Sequence, residues 1–295
     1  MKKTLMIPYL LSAVFLAAVS SAQQAAFPVK WEEMTTPEFI SAVEKSEATC
    51  LIPIGVLEKH GPHLPLGTDM LSIREIAVRA ARKEYSIVFP HYYFGQIHEA
   101  RHQPGTMAYS PELLWKMLQE TCDELGRNGI RKIILVNGHG GNNSFLPYFC
   151  QSQLAGKRDY SVIIFQPEHD PETAEKIRKL RETTTDGHAG ETETSEMLVL
   201  HPGITHPERG NEQSGADLNR LELPYGYTAI WWYAKFPNHY AGDGSKANRE
   251  LGNLLINSDV DQLAKLIKAV KTDDTVHKLQ QQFYKQSEQP LETKQ

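Results

Sequence analysis

Pro53-Ile54-Gly55-Val56-Leu57-Glu58-Lys59-His60-Gly61-Pro62-His63-Leu64-Pro65-Leu66-Gly67-Thr68-Asp69 places three candidate metal ligands close together in a chain of otherwise ordinary composition. The apolar run 50–55 predicts a buried strand, so Glu58 and His60 follow while the chain is still extended and share a face. A Gly- and Pro-rich loop then leads to Asp69, which opens a predicted helix, where a carboxylate is favoured. Carboxylate and imidazole ligands without a thiolate suit zinc or manganese-like divalent ions.

Working outward, apolar runs and helical periods alternate along the chain. Strands are predicted at 50–55, 86–90, 132–137 and 160–165, and helices at 69–84, 111–127 and 143–156. This alternation predicts an α/β fold with a mainly parallel sheet covered on both faces. Ligands of such sheets gather at the carboxyl ends of the strands, where the Glu58 loop and the loop after residue 137 both lie.

The remaining segments suggest a single domain over residues 23–272. The loop 95–106 holds two histidines and is interpreted either as a lid or as a solvated loop. Residues 201–245, rich in Pro, Gly, His and aromatic residues, predict a long irregular excursion. An amphipathic helix is predicted at 246–271, and the polar tail 273–295 is expected to be poorly ordered.

The first 22 residues have the pattern of a secretory signal peptide. Two lysines are followed by an apolar segment and by Ser20-Ser21-Ala22, which has the small-x-small form of a signal peptidase site. We therefore expect a cleaved signal and a periplasmic or secreted protein, the alternative being an uncleaved membrane anchor. The formal net charge of −5 becomes more negative when both signal lysines leave. Such a surface does not favour nucleic acid or an anionic membrane as a partner.

The three cysteines, Cys50, Cys122 and Cys150, are an odd number without paired spacing. Each lies in an apolar predicted strand or helix. Buried free thiols are therefore predicted in preference to a disulfide.

A second constellation follows the predicted strand 132–137, where the chain reads Asn137-Gly138-His139-Gly140-Gly141-Asn142-Asn143. One interpretation is an anion cradle of backbone N–H groups at the start of a helix. A phosphate loop needs no imidazole at its centre, however, and glycines around His139 let the backbone approach whatever the ring binds. His139 is thus a candidate metal ligand, and the Gly140 and Gly141 amides are candidates for holding a substrate oxygen.

A third constellation, residues 186–198, again places a histidine and carboxylates at the start of a predicted helix. Glu193 is aligned with the apolar positions that face the core, and a buried carboxylate needs a partner, which a metal would provide. Glu191 and Glu196 are expected to face water or to cap the first turn. His188 lies just before the helix, as an acid or base and not as a ligand.

These three blocks together resemble the creatininase family of metal-dependent amidohydrolases. The resemblance extends from about residue 47 to residue 252, with weaker signatures at 104–106 and 241–243. Its main motifs are Gly55-x-x-Glu58-x-His60-Gly61-Pro62-His63-Leu64-Pro65-x-x-Thr68-Asp69, Asn137-Gly138-His139-Gly140-Gly141-Asn142 and His188-Ala189-Gly190-x-x-Glu193-Thr194-Ser195.

The resemblance implies a three-layer α/β/α sandwich and two divalent ions, most readily zinc, or else manganese or iron. Asp69 would bridge the ions, and the other implied ligands are Glu58, His60, His139 and a further glutamate. Creatininase takes that glutamate from two residues after the loop histidine, where this chain has Gly141. Glu193 is the substitute that the resemblance favours, with Glu191 left open. Ring-like hexamers among relatives imply a homo-oligomer.

The resemblance also bears on the substrate. The tryptophans of the creatinine pocket are expected between the second and third motifs, and this chain has none there. Trp231 and Trp232 remain as substitutes, or as packing residues.

We therefore hypothesise hydrolysis of a non-peptide C–N bond, in a cyclic amide, a formamide or a small amide, by a water bridging two divalent ions. His188 would deliver a proton to the leaving nitrogen. One alternative is an exported, metallopeptidase-like enzyme that trims short peptides. Another is a non-catalytic periplasmic protein that binds a metal or solute, which predicts a site saturated by protein ligands.

Overall fold

The computed structural model describes residues 27–293, so the predicted signal peptide at 1–22 lies outside the described residues. Its sheet has four parallel strands in the order β2-β1-β3-β4. These strands are β1 Thr49–Ile54, β2 Ile87–Val88, β3 Lys132–Asn137 and β4 Ser161–Phe165. The helices are α1 Thr36–Lys45, α2 Thr68–Lys83, α3 Pro111–Arg127, α4 Asn142–Ser152, α5 Pro171–Leu180, α6 Glu191–Leu200, α7 Trp231–Lys235, α8 Arg249–Thr272 and α9 Thr275–Ser287.

The two faces of the sheet are covered by different helices because alternate strand residues point in opposite directions. Leu51 and Ile134 face the cluster formed by α2 and α8. Cys50 and Ile133, which are register partners in β1 and β3, face the cluster formed by α1, α3 and α4. The result is the predicted three-layer α/β/α sandwich, which confirms the fold class.

Helix α8 brings α6 to the edge of the sheet where the strands end. It packs against both α2 and α6. At Gly252 the α8 backbone comes so close to α6 that a Cβ atom would lie 2.1 Å from Ser195 O. This close crossing sets the start of α6 beside the start of α2, at the carboxyl ends of β1 and β3.

Helix α9 corrects the expectation for the polar tail. Residues 273–295 were predicted to be poorly ordered, but α9 lies against the end of the sandwich. Gln280 and Gln281 donate to the backbone carbonyls of Tyr160 and Arg158 at 2.8 and 2.7 Å, and the buried Tyr284 hydroxyl donates to Gln153 O at 2.9 Å. The segment is therefore held by amide and hydroxyl hydrogen bonds more than by an apolar stripe.

The irregular excursion and the cysteines agree with the predictions made from the sequence. Residues 201–245 form an irregular excursion with short helical turns and α7. All three cysteines lie in the described part of the chain and none is in a disulfide, as predicted, with Cys50 and Cys122 buried. No helix within residues 27–293 is both long enough and apolar enough to cross a bilayer.

Candidate metal centre

The candidate site lies at the carboxyl ends of β1 and β3, where the starts of α2 and α6 meet them. The residues that the sequence singled out there, Glu58, His60, Asp69, His139 and His188, are all buried. Glu193, at the start of α6, completes the group and is 35 % exposed. Segments that are far apart along the chain are thus brought to one place.

The turn after β1 sets the directions of Glu58 and His60. The Glu58 N–H donates to Leu66 O at 3.0 Å, and His60 pairs with Leu64 across the turn. Gly61 has φ of 58°, a conformation that favours glycine. The two side chains share a face, as predicted, with His60 Nε2 3.9 Å from Glu58 Oε1.

The ring of His60 is fixed by the backbone carbonyl of Glu58, two residues earlier. Its Nδ1 lies 3.2 Å from Glu58 O, which accepts the ring proton, so the Nε2 lone pair points toward the site. Nε2 lies 2.8 Å from Asp69 Oδ1. Burial alone would lower the pKa of His60, but the Asp69 and Glu58 carboxylates outweigh it and raise the pKa to about 10.

His139 is arranged in the same way on the other side of Asp69. Its Nε2 donates to Gln96 O at 2.8 Å, and its Nδ1 lies 2.8 Å from Glu58 Oε1 and 2.9 Å from Asp69 Oδ2. Burial opposes the protonated ring, yet Glu58 and Asp69 hold the pKa of His139 well above its ordinary value. Both histidines therefore direct a lone pair at carboxylates, which calls for a proton or a cation between them.

Two orphaned oxygen atoms show that a metal fits this place. Within residues 27–293, Glu58 Oε1 and Asp69 Oδ2 are buried without a hydrogen-bond partner, although His139 Nδ1 is close to both. Buried carboxylate oxygens are rarely left unpaired. A divalent cation among these three atoms would satisfy both oxygens, and a backbone carbonyl on the far nitrogen of a histidine is the usual support for a metal ligand.

Asp69 has the geometry of a bridging ligand. Its Oδ1 faces His60 and its Oδ2 faces His139. Among residues 27–293, Glu58, His60 and Asp69 also form one of three groups whose ligand atoms lie within 4.8 Å of one another. A second such group is His60, His188 and Glu193.

The α6 carboxylates differ from their predicted positions. Glu193 does not join the core-facing stripe: its Oε2 accepts from Ala189 N at 2.5 Å and lies 4.0 Å from His60 Nε2. Glu191, expected to face water or to cap its own helix, is buried and accepts from the Glu182 and Thr183 N–H groups. Its oxygens are occupied away from the site, which leaves Glu193 as the glutamate that α6 offers.

Glu196 also differs from the expectation of a solvated side chain. It is half-buried and lines a cleft of about 460 Å³ with Asp259 and Glu193. Burial, with Asp259 and Glu193 nearby, raises the pKa of the Glu196 carboxyl well above its ordinary value.

His188 lies over the ring of His60, with the two ring centroids 4.4 Å apart. Its Nε2 donates to Lys59 O at 2.8 Å, and its Nδ1 lies 3.9 Å from Glu193 Oε2. One nitrogen is thus held by the backbone while the other faces the site, an arrangement suited to proton transfer.

His63, also in the first motif, belongs to the support of the site. It is buried and its Nε2 pairs with Thr194 Oγ1 at 2.8 Å. Burial, with His60 nearby, lowers the pKa of His63 to about 4. The ring therefore stays neutral and joins the first motif to α6.

His239 reaches the site and was not predicted from the sequence. It is 2 % exposed and its Nε2 forms a short contact with Glu58 Oε2. The irregular segment that carries it gave no periodic signal. The one available hint was the weak signature at 241–243, two residues further along.

Gly140 and Gly141, the candidates for substrate binding, follow His139, and Gly140 also lines the cleft of about 460 Å³ that contains Asp69, His139 and Glu193. Both line a cavity of about 1200 Å³ that also contains Gln96, whose carbonyl holds His139. The loop 95–106 and the α7 region form its other walls, with Arg101, Tyr227, Trp231 and Tyr233. The loop 95–106 is therefore a wall of a large cavity beside the metal centre.

Comparison with known proteins gives a family match over most of the chain. The family model Creatininase, described as creatinine amidohydrolase, matches residues 32–267. The creatinine amidohydrolase of Pseudomonas putida is 28% identical over 191 residues, covering 60% of this chain and 74% of that protein. The mycofactocin precursor peptide peptidase of Mycobacterium tuberculosis (strain CDC 1551 / Oshkosh) is 30% identical over 193 residues, covering 60% and 68%. The 3-dehydro-scyllo-inosose hydrolase of Thermotoga maritima is 26% identical over 241 residues, covering 75% and 76%.

Solved structures share the fold. A crystal structure of creatinine amidohydrolase superposes with a TM-score of 0.70 at 24% identity, over 83% of this chain and 98% of that one. Structures of creatininase with similar scores include a mutant of Zn-Zn type and a form named for Mn.

Proposed function

The chain belongs to the creatininase family, and from that premise we propose that it is a metal-dependent hydrolase of non-peptide C–N bonds, such as those of a cyclic amide, a formamide or a small amide. The observation that carries the proposal is the convergence of two carboxylate oxygens on His139 Nδ1, with Glu58 Oε1 at 2.8 Å and Asp69 Oδ2 at 2.9 Å. Neither oxygen has a hydrogen-bond partner in the described chain. Such a donor set fits a divalent cation.

We assign two ions to this centre. Glu58, Asp69 and His139 would hold one, and His60, Asp69 and Glu193 the other, with Asp69 shared. Oxygen and imidazole donors suit zinc and manganese, with iron third. The Zn-Zn and Mn forms of creatininase support the same choice.

When bound, the ions would supply a water of lowered pKa and a Lewis acid for the substrate carbonyl. The chain's own groups would do the rest. His188, held at Nε2 by Lys59 O, has Nδ1 free to pass a proton to the leaving nitrogen. Glu193 Oε2 lies 3.9 Å from His188 Nδ1, on the side of the ring that faces the site. The Gly140 and Gly141 amides would orient a substrate oxygen at the mouth of the cavity.

Metal content is the first test. Purified protein is expected to contain close to two equivalents of zinc or manganese by elemental analysis. His139→Ala and Glu193→Ala are expected to lose one of them or more, because each removes a ligand. His206→Ala, at an exposed histidine beside Glu208, is the matched control and should retain the metal of the wild type. Full metal content and full amidase activity in both site variants would refute the assignment.

A second candidate function, the trimming of short peptides, is favoured by the size of the neighbouring cavity, which shares Gly140 with the cleft that Asp69, His139 and Glu193 line. About 1200 Å³ exceeds the usual volume of a small-molecule pocket, roughly 300–1000 Å³. The similarity to a mycofactocin precursor peptide peptidase points the same way. Small lactams, formamides and amides should be screened beside short peptides, with amine release measured for each. Turnover of peptides alone would replace the first candidate with the second.

We also propose that the chain is exported after cleavage at Ala22 and assembles as a homo-oligomer. The support is the pattern of residues 1–22 and the resemblance to ring-forming relatives. N-terminal sequencing of exported protein should begin at Gln23, and light scattering should give a mass that is a multiple of the chain mass. An uncleaved, monomeric protein would contradict both proposals.

A further inference from the structure

The fourth histidine at the centre, His239, has a different pattern of hydrogen bonds from the two assigned to the metals. In His60 and His139 a backbone carbonyl takes the proton of one nitrogen and leaves a lone pair directed at the site. In His239 the ring nitrogen farther from the site has a donor as its partner, because the indole Nε1 of Trp232 donates to Nδ1 at 2.8 Å. An indole N–H cannot accept, so Nδ1 carries the lone pair.

The tautomer of His239 follows from that contact. A neutral imidazole with its lone pair on Nδ1 carries its proton on Nε2, and this Nε2–H points at Glu58 Oε2. His188 also carries its proton on Nε2, although there a backbone carbonyl, Lys59 O, accepts it, and this Nε2 lies 3.8 Å from Glu58 Oε2. The group Glu58, His188 and His239 brings its ligand atoms within 4.8 Å, yet Nε2 of each histidine bears a proton. It is therefore not a third cation site.

The two oxygens of Glu58 are thereby made unequal. Oε2 accepts the hydrogen bond from His239, whereas Oε1 has no hydrogen-bond partner in residues 27–293 and lies 2.8 Å from His139 Nδ1. Hydrogen bonds to the second oxygen of a ligating carboxylate fix its orientation. With Oε2 occupied, Oε1 is the oxygen presented to a cation.

The backbone at His239 supports a specific need for this side chain. Its φ is 53°, in the left-handed region where glycine is favoured, and its N–H donates to Phe236 O at 3.0 Å. A residue with a Cβ atom costs about 1 kcal/mol there relative to glycine. The ring is nevertheless held in place, buried against Trp232.

We propose that His239 is a positioning residue that presents Glu58 Oε1 to the metal by donating its Nε2–H to Oε2, with Trp232 fixing the tautomer that makes this possible. The inference rests on the proposed function, because it concerns the same metal centre. It assigns to His239 no bond to the metal and no contact with the substrate.

The test is metal binding by a set of variants. Zinc affinity is measured by competition with a chromophoric chelator, and the number of nitrogen ligands by X-ray absorption of the zinc-loaded protein. His239→Ala is expected to weaken zinc binding about 10- to 100-fold, the usual effect of removing the partner of a ligand. His239→Gln, whose amide N–H can still donate to Glu58, should recover most of the affinity with an unchanged nitrogen count.

Trp232→Phe keeps an aromatic ring and removes the indole donor. We expect a smaller loss of zinc affinity than in His239→Ala, because the ring of His239 stays but its tautomer is no longer fixed. This variant also tests the proposal if His239→Ala fails to fold, and thermal unfolding of each metal-free variant shows whether it has folded. His206→Ala is again the control.

Three results would overturn the inference. Wild-type affinity in His239→Ala would exclude any role at the metal. One nitrogen ligand fewer in His239→Gln would show that His239 binds the metal directly. Unchanged affinity in Trp232→Phe would remove the role of the tautomer. Each leaves the proposed function standing, whereas a wild-type chain that takes up no zinc would overturn the proposed function as well.

Discussion

Gly140 and Gly141 are adjacent in sequence, but only one of them has room for a side chain. A Cβ atom at Gly141 would lie 2.4 Å from His139 Nε2 and 2.7 Å from Gln96 O, whereas one at Gly140 would meet no atom within 4 Å. Gly141 thus keeps open the hydrogen bond that fixes the tautomer of His139. Its role is structural before any contact with substrate.

This difference gives a matched pair of variants. Gly141→Ala should weaken metal binding about 10- to 100-fold, because it displaces the ring that ligates the metal. Gly140→Ala should leave metal affinity and stability unchanged, and any loss of turnover would then report on substrate binding. Chelator competition checks the first expectation. Equal metal affinities for the two variants would contradict it.

His63 should make the stability of the protein fall as the pH falls below 6.5. Its pKa is lowered from 6.5 to about 4 by burial, so between these values the unfolded chain binds a proton that the folded chain does not. The sign of the linkage is then a stability that rises with pH, by about 3 kcal/mol across the interval.

Urea unfolding of metal-free protein between pH 4.5 and 7.5 checks this expectation. His63→Gln removes the titrating ring, so the stability advantage of the wild type over this variant should shrink as the pH falls. His206→Gln, at an exposed histidine, should show a constant difference from the wild type. A constant difference for His63→Gln as well would contradict the expectation.

Local sequence patterns predicted most of the candidate site because its residues lie where one strand or helix ends and the next begins. Glu58 and His60 follow a buried strand, Asp69 lies at the start of α2, and His139 lies in the turn between β3 and α4. His239 could not be predicted in this way, since its position depends on how the irregular segment folds back over Glu58.

At the scale of elements, a strand buried on both faces was predicted from the sequence, whereas a helix attached mainly by polar side chains was not. Strand β3 was predicted with its observed bounds because a continuous apolar run between turn signals is typical of a strand buried on both faces. Helix α9 was missed because the polar composition of the segment outweighed the helical spacing of Val276, Leu279 and Phe283, which the structure leaves exposed while a tyrosine and two glutamines attach the helix. Composition alone made that segment resemble a disordered tail.

The attachment of α9 is tested at Tyr284, which is 4 % exposed. Tyr284→Ala should lower the free energy of unfolding by about 3 kcal/mol, since it removes a buried ring and leaves Gln153 O without its donor. Leu279→Ala, on the same helix but 59 % exposed, should change it by less than about 0.5 kcal/mol. Denaturant unfolding of both variants is the measurement, and similar losses would show that α9 is not specifically docked.

At the scale of the whole molecule, the centre ties distant parts of the chain together. Glu58 follows β1, His139 follows β3, Glu193 begins α6, and His239 returns from the irregular excursion. Metal ions that bind only when these segments are in place stabilise the folded state as a whole. In the metal-free protein, protons on His60 and His139 balance the carboxylates instead.

The stabilisation by metal should therefore grow with pH. The carboxylates outweigh burial and raise the pKa of His60 to about 10 and that of His139 well above its usual value. Protonation of these two rings therefore stabilises the metal-free folded state fully below pH 6.5 and progressively less above it. Bound ions replace those protons and do not lose their effect as the pH rises. Each histidine should add about 1.4 kcal/mol per pH unit to the difference between metal-loaded and metal-free protein. Thermal unfolding with excess zinc and with chelator, from pH 6 to 8.5, measures that difference in His206→Ala and in the wild type. A difference that stays flat or falls with pH would mean that protons and metal do not compete for His60 and His139.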